Sequence, residues 1–398
     1  MIADAPLLDP DRIEELQSVL TESTVCGWLL YDFQDRNPIA QRLLGLRMAT
    51  RRAFVFFPAR GEPVLLYHRI EASSWDGWPW LRQSYAGWRE LTERLERILS
   101  GMETVAMEVS PAGAVPTIDR VPSGVVEMVE EAGVRVTSSG DLVTAFYARW
   151  SAHGLRRHRA AAGIVHSVAM EAFRRAAAAA GTPAPLSERA LADWIRGRLR
   201  EEGLVDQEDC IVAAGANTAA PHYHPGGEGE ALSAGSVVLI DLWGRDPDGG
   251  IPADQTWMGV LGRSAPDRAV ELWTAVRETR DLALEFLRER AGGEVRGWEV
   301  DEVARAELDR RGLGRYFLHR LGHSIDTELH GSGPNLDSLE TRDDRRLLPG
   351  VGFSVEPGVY LPGEIGIRSE VNVHWTEAGP EVTPPEIQSD LLLFPVGP

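Results

Sequence analysis

Carboxylates stand inside strand-like apolar runs in the second half of this sequence, and that limits how the chain can fold. In SVVLIDLWGRDPDGGIPADQTWMGV (236–260), an apolar run leads into Asp241, a turn-rich DPDGG follows, and a second run carries Asp254. GVGFSVEPGVYLPGEIGIRSEVNVHW (350–375) sets Glu356 among Phe353, Val355 and Val359 and adds Glu370. A core that takes in these strands must take in their acids. An unpaired buried carboxylate is costly, and two close carboxylates repel unless something positive lies between them. A hairpin at DPDGG puts Asp241 and Asp254 side by side across the strand pair. Taken singly, Asp254 reads as an ordinary turn or capping residue; taken with the other acids it does not.

The segment IGIRSEVNVHW alternates, which places Arg368, Glu370, Asn372 and His374 on one face of a strand. Between the two acidic regions lies HRLGHSIDTELH (319–330), which holds three of the chain's ten histidines. Hard oxygen ligands with one imidazole suit manganese, cobalt or zinc. Two such ions can share bridging carboxylates and hold a hydroxide between them, a coherent arrangement for hydrolysing an amide.

Composition excludes competing chemistries. A net charge of -19 repels phosphate backbones and argues against nucleic-acid binding. No apolar run reaches the roughly 18–20 residues of a membrane span, and the acidic start MIADAPLLDPDRIEEL lacks a signal-peptide pattern, so a cytoplasmic protein is expected. Cys26 and Cys210 form no CxxC, against a disulfide framework or thiolate metal site. The chain has no lysine, which removes Schiff-base, lysine-base and P-loop chemistry.

Two domains are expected. Residues 1–150 mix strand candidates (26–33, 52–68 with a turn at 59–62, 104–109, 134–138) with amphipathic helices at 12–23, 88–102 and 124–133, a small α/β domain without a clustered constellation. Residues 151–398 open on a long helix to about residue 181 and a second over 185–203, with Ser187 as N-cap and Gly203 as C-cap.

In order and spacing, Asp241, Asp254, Gly322-His323, His330 seven residues on, Glu356-Pro-Gly and Gly366-Ile-Arg-Ser-Glu370 resemble the pita-bread metallopeptidases, a group that includes prolidase, aminopeptidase P and methionine aminopeptidase. The resemblance covers the whole chain and implies an α/β (α+β) protein, a creatinase-like N-terminal domain followed by a C-terminal pita-bread fold. It implies two divalent metal ions (Mn, Zn or Co): Asp241 on one, Asp254 and Glu370 bridging both, His323 and Glu356 completing the coordination of the second metal. The bridging hydroxide would attack the scissile carbonyl, with Glu356 shuttling the proton. His330 would steady the tetrahedral intermediate, and His222 would stand near the scissile bond, with His224 the weaker candidate. His319 would hold the proline end, and Arg368 and Tyr360 would line the site. Structural roles are expected for His68, His153, His158 and His166.

The implied activity is hydrolysis of Xaa-Pro dipeptides by a homo-oligomer, dimer or tetramer. Alternatives are aminopeptidase P-like cleavage of longer peptides, hydrolysis or lysis of another small molecule, and a non-catalytic binding module. The family's usual Asp-x-Thr-Arg is here Asp254-Gln255-Thr256-Trp257, its His-Glu is His330-Gly331, Asp326 follows where small residues are usual, and Val371-Asn372 follows Glu370. These departures leave the five ligand positions intact and are expected to bear on specificity.

Overall fold

A computed structural model describes residues 7–45, 50–205 and 210–397. Contacts divide the chain into two compact units, Met1–Tyr147 and Ala148–Pro398. Among the described residues no helix is long and apolar enough to cross a membrane.

The first unit is built on one sheet in the order β4-β3-β2-β1-β5-β6. Its strands are β1 (Gly27–Asp32), β2 (Ala53–Pro58), β3 (Val64–His68), β4 (Leu81–Tyr85), β5 (Thr104–Met107) and β6 (Arg135–Ser138). The helices are α1 (Pro10–Glu22), α2 (Pro38–Leu44), α3 (Trp88–Leu99), α4 (Ser123–Glu131) and α5 (Gly140–Phe146). Helix α3 shows why the pattern is readable: Leu91, Leu95 and Leu99 recur every fourth residue and form the buried stripe. Strand β4 and helices α2 and α5 stand outside the elements anticipated from pattern. LRQSY in β4 has little apolar alternation because it is an edge strand, with Leu81 and Arg82 exposed.

In the second unit α6 (Ala152–Ala180) and α7 (Glu188–Glu201) come first. Ser187 caps α7 by accepting the Ala190 N–H, and Gly203, at φ +84°, follows the helix end. Then come β7 (Ile211–Ala214), β8 (Val237–Gly244), β9 (Ala253–Val260), α8 (Asp267–Glu289) and α9 (Gly297–Arg310). The last two helices also lie outside the anticipated elements. The chain ends through β10 (Ser324–Ile325), β11 (Gly352–Val355), β12 (Gly358–Leu361), β13 (Ile365–Arg368), β14 (Val371–Thr376), β15 (Gly379–Thr383) and β16 (Leu392–Leu393). They form sheets ordered β16-β9-β8-β7 and β10-β11-β14-β15, and a β12-β13 ribbon.

Strand β8 is buried along its whole length, yet its two faces differ. Val238, Ile240 and Leu242 pack with residues of α6 and α7. On the other face Val237 and Leu239 join the core of α8, α9 and the remaining strands. Farther along that same face come Asp241 and Trp243. Strand β9 repeats this division, with Met258 and Val260 in the core and Asp254 and Thr256 at the acidic end. A one-residue slip would drive both aspartates in among the helices, so the site and the hydrophobic pattern fix the same register.

Candidate active site

The antiparallel register pairs Asp241 with Thr256 and Trp243 with Asp254. The two aspartates therefore share a face but stand diagonally, offset by two residues, rather than directly opposite as the hairpin alone suggests. The alternating run also breaks differently from expectation. It divides into β13 and β14, so Glu370 lies at the break, and Asn372 accepts the Asp254 N–H at 2.8 Å.

His323 enters from β10's edge. A Cβ on Gly322 would lie 1.9 Å from the Ser354 carbonyl oxygen, so only glycine lets this segment run so close to β11. Ser354 Oγ then accepts the His323 N–H and donates to Glu356 Oε1, each at 2.9 Å. His323 Nδ1 is 3.1 Å from the Ser324 carbonyl, which can only accept, so Nδ1 carries the proton. Nε2 faces Asp254 Oδ2 at 3.4 Å and Glu356 Oε1 at 3.6 Å. Ligand atoms of Asp254, His323 and Glu370 lie within 4.8 Å of one another.

These acids are short of positive charge. Arg368 donates to Asp241 Oδ2 and, at 3.0 Å, to Thr256 Oγ1. Thr256 in turn reaches Asp241 Oδ1 at 3.1 Å and Glu370 Oε2 at 2.8 Å, and its single proton serves one of them at a time. Asp254 Oδ1 and Glu370 Oε1 are buried with no hydrogen-bond partner among the described residues. Burial pushes Asp241 up to about 7, against the pull of Arg368 and with the push of Asp254 and Glu356. Burial likewise raises Asp254, and raises Glu370 well above the carboxylate range, helped there by Asp254, Glu356 and Asp241. Glu356 is lowered: burial opposes this, but the pull of His323 and Arg368 outweighs it. Orphaned oxygens, crowded acids and an imidazole with its lone pair turned toward them fit a divalent cation.

The five expected ligands line one cavity of about 550 Å³, together with His222, His224, His319, His330 and Arg368. His330 stands beside His323, ring centroids 4.4 Å apart. His319 Nδ1 is 2.8 Å from the Arg320 carbonyl, leaving Nε2 to accept the Tyr360 hydroxyl at 2.8 Å. Burial holds His319 below the ordinary histidine value and pushes Tyr360 up to about 12, so the imidazole is neutral and the phenol protonated. Tyr360, expected to line the site, is instead 1% exposed and absent from the cavity wall. Its hydroxyl sits behind His319 and Arg368, which donates to it at 3.3 Å.

The segment bearing His222 and His224 is fastened by Glu188, whose carboxylate accepts from Ala214 N, Asn217, Tyr223 and Glu230 N. Thr218 Oγ1 accepts the Gly366 N–H, and Pro221 O accepts from Arg368. Sequence reasoning missed Glu188, Thr256, Ser354 and Asn372. Thr256, Ser354 and Asn372 each sit two residues from a proposed ligand, which was the available signal.

Trp257 does not bear on the cavity. It lies on the opposite face of β9, its ring stacked on His166 of α6 at 4.6 Å, its Nε1–H donating to Gln255 at 2.9 Å. His158 is bonded to Pro252 O and Thr383 Oγ1, and His374 stacks on Trp150, both off the cavity wall.

The model of metallopeptidase family M24 matches residues 156–377. An Xaa-Pro dipeptidase of Lactobacillus helveticus is 33% identical over 187 residues, which are 46% of this chain and 47% of that protein. The chain thus spans about half the length of that relative. A probable dipeptidase, PepE, of Mycobacterium tuberculosis is 27% identical over 364 residues, 89% of each chain. The crystal structure of dipeptidase PepE from Mycobacterium ulcerans superposes with a TM-score of 0.75 at 23% identity, covering 97% of this chain and 98% of that one.

Proposed function

Because the chain belongs to metallopeptidase family M24, we propose that it hydrolyses the peptide bond before proline in Xaa-Pro dipeptides. The name of the Lactobacillus relative supports the substrate, and those of the mycobacterial relatives support the dipeptide. One observation carries the metal dependence: buried, partnerless oxygens on Asp254 and Glu370 converge with His323 on a cavity of small-molecule size. In this reading Asp241, Asp254, His323, Glu356 and Glu370 hold two divalent ions, and the oxygen-rich set with one imidazole suits manganese, cobalt or zinc. Bound there, the ions supply a nucleophilic water at neutral pH and polarise the scissile carbonyl.

The chain's own groups do the rest. Glu356, steadied by the Ser354 hydroxyl, takes a proton and returns it to the leaving proline nitrogen. His330 and His222, both exposed on the cavity, donate to charge that develops on the carbonyl oxygen. Neutral His319, backed by Tyr360, holds the proline end. Arg368 ties Asp241 to the His222 segment, so ligand and substrate contacts move together. The free cysteines Cys26 and Cys210 accord with a cytoplasmic protein; sedimentation tests the homo-oligomer, dimer or tetramer.

The test loads the protein with manganese or zinc and compares Leu-Pro with Leu-Pro-Gly, using Asp254→Asn as control. Cleavage of the dipeptide alone, abolished in the control, is expected. Cleavage of the tripeptide moves the assignment to an aminopeptidase P-like enzyme. Cleavage of neither, with metal bound, sinks the proline-peptide reading.

A further inference from the structure

Asp326 and Gly331 depart from the family pattern together, and the structure brings them together. From β10 the chain turns out at Asp326 and returns at Gly331, whose N–H donates to the Ser324 carbonyl at 2.7 Å. Asp326 is 1% exposed. Its carboxylate spans the loop: Oδ1 accepts the Glu328 N–H at 2.9 Å, and Oδ2 accepts the Ser332 N–H at 2.8 Å. The space it fills exists because residue 331 has no side chain. A Cβ on Gly331 would lie 2.8 Å from both Cγ and Oδ2 of Asp326. The returning segment is anchored as well, since Arg345 donates to the carbonyls of Ser332 and Gly333 at 2.6 Å while paired with Asp343.

This loop puts Leu329 and His330 on the cavity wall. Leu329 and Gly331 are buried, and His330 between them is exposed. A loop held across its width by a carboxylate, rather than by contacts with substrate, presents its histidine ready-placed, and small misplacements of such groups are expensive in rate. Resting on the reading of this cavity as the peptide site, we infer that Asp326, seated against bare Gly331, is a positioning residue that fixes the His330 imidazole beside His323 before substrate arrives. The two departures from the family pattern are then one device rather than two changes in specificity.

A double-mutant cycle reads this on the metal-loaded full chain. Asp326→Ala is expected to lower kcat on Leu-Pro by about tenfold or more with metal content unchanged. In a His330→Ala background the same change is expected to cost less than about twofold, because the group it positions is gone. Asp326→Asn, which keeps one acceptor oxygen, should fall between, and Gly331→Ala, whose Cβ would press on both the carboxylate and the backbone nitrogen of Asp326, should lose at least as much as Asp326→Ala. An equal loss in both backgrounds, or metal lost in step with kcat, overturns the inference.

A second readout needs no turnover. In zinc-loaded, histidine-labelled protein, the ring signal absent from His330→Ala should shift or broaden in Asp326→Asn and Gly331→Ala; an unchanged signal overturns the positioning role. If the native protein cleaves no Xaa-Pro peptide while these signals move, the dipeptidase reading falls and the positioning role stands.

Discussion

Two groups of buried acids meet opposite treatment in this molecule. In the first unit Glu108 is 0% exposed, yet Trp28 and Ser139 donate to Oε1 and Asn37 to Oε2. In the second unit Asp254 and Glu370 are nearly as buried, each 4% exposed, and each keeps an oxygen that no described residue satisfies. Glu108 sits in a closed set of donors and reads as structure. The pair in the cavity sits in an open set and reads as a place for a cation. Burial alone marks no function; burial without a partner does.

The largest expected effect breaks the open set. Asp254→Asn keeps the shape and removes the charge, and kcat/KM on Leu-Pro should fall by about a thousandfold or more, with bound metal falling too. Glu108→Gln, the matching change in the closed set, should leave metal content unaltered. Elemental analysis alongside the kinetics checks both, and metal loss on Glu108→Gln would erase the distinction.

Glu108 should instead govern pH stability. Burial raises it from 4.5 to about 7, against the hydrogen bonds from Trp28, Asn37 and Ser139. Below pH 4.5 the carboxyl is protonated in folded and unfolded chains alike. Between 4.5 and about 7 only the unfolded chain releases its proton, so stability falls as pH rises through that window and levels off above it. The loss attributable to this group is about 3 kcal/mol. Because Asp241, Asp254 and Glu370 are raised alike in both proteins, the slope due to Glu108 should appear as the difference between urea unfolding of native and Glu108→Gln proteins across pH 4–8.

Metal should sharpen the contrast in the opposite unit. An ion at about a hundred times its Kd stabilises the state that binds it by about 2.7 kcal/mol. Hydrogen exchange should slow in β8, β9 and β11 on adding manganese and recover with a chelator, while β1 and β5 beside Glu108 stay unaffected. Equal protection in both units would mean that the ion acts elsewhere.

Much of the site was legible because the acids interrupt apolar strands and the glycines are forced. Asp241, Asp254, His323, Glu356 and Glu370 do line one cavity. What escaped was whatever depends on register across strands distant in sequence. The diagonal offset of the two aspartates, Thr256 joining Asp241 to Glu370, and Asn372 holding the Asp254 backbone each need a pairing that periodicity cannot supply. Trp257 shows the converse error: a residue three places from a proposed ligand was expected to bear on specificity, but a strand turns successive side chains to opposite faces.

The smallest effect compares two serine hydroxyls that do similar work. Ser139 donates to Glu108 at 3.1 Å and Ser354 to Glu356 at 2.9 Å. Removing one donor from a buried carboxylate costs about 1 kcal/mol, more when the acid is charged. Ser139→Ala should therefore destabilise more at pH 8, where Glu108 is ionised, than at pH 5, where it is largely neutral, and leave kcat alone. Ser354→Ala also strands the His323 N–H, which donated to the same oxygen at 2.9 Å. It should cost a similar stability and in addition lower kcat by several-fold, because both the proposed ligand and the proposed proton carrier lose their alignment. Unfolding curves at the two pH values and kcat on Leu-Pro separate the cases. Equal kinetic effects from the two serines would mean that the closed and open sets differ less in function than their hydrogen bonds do.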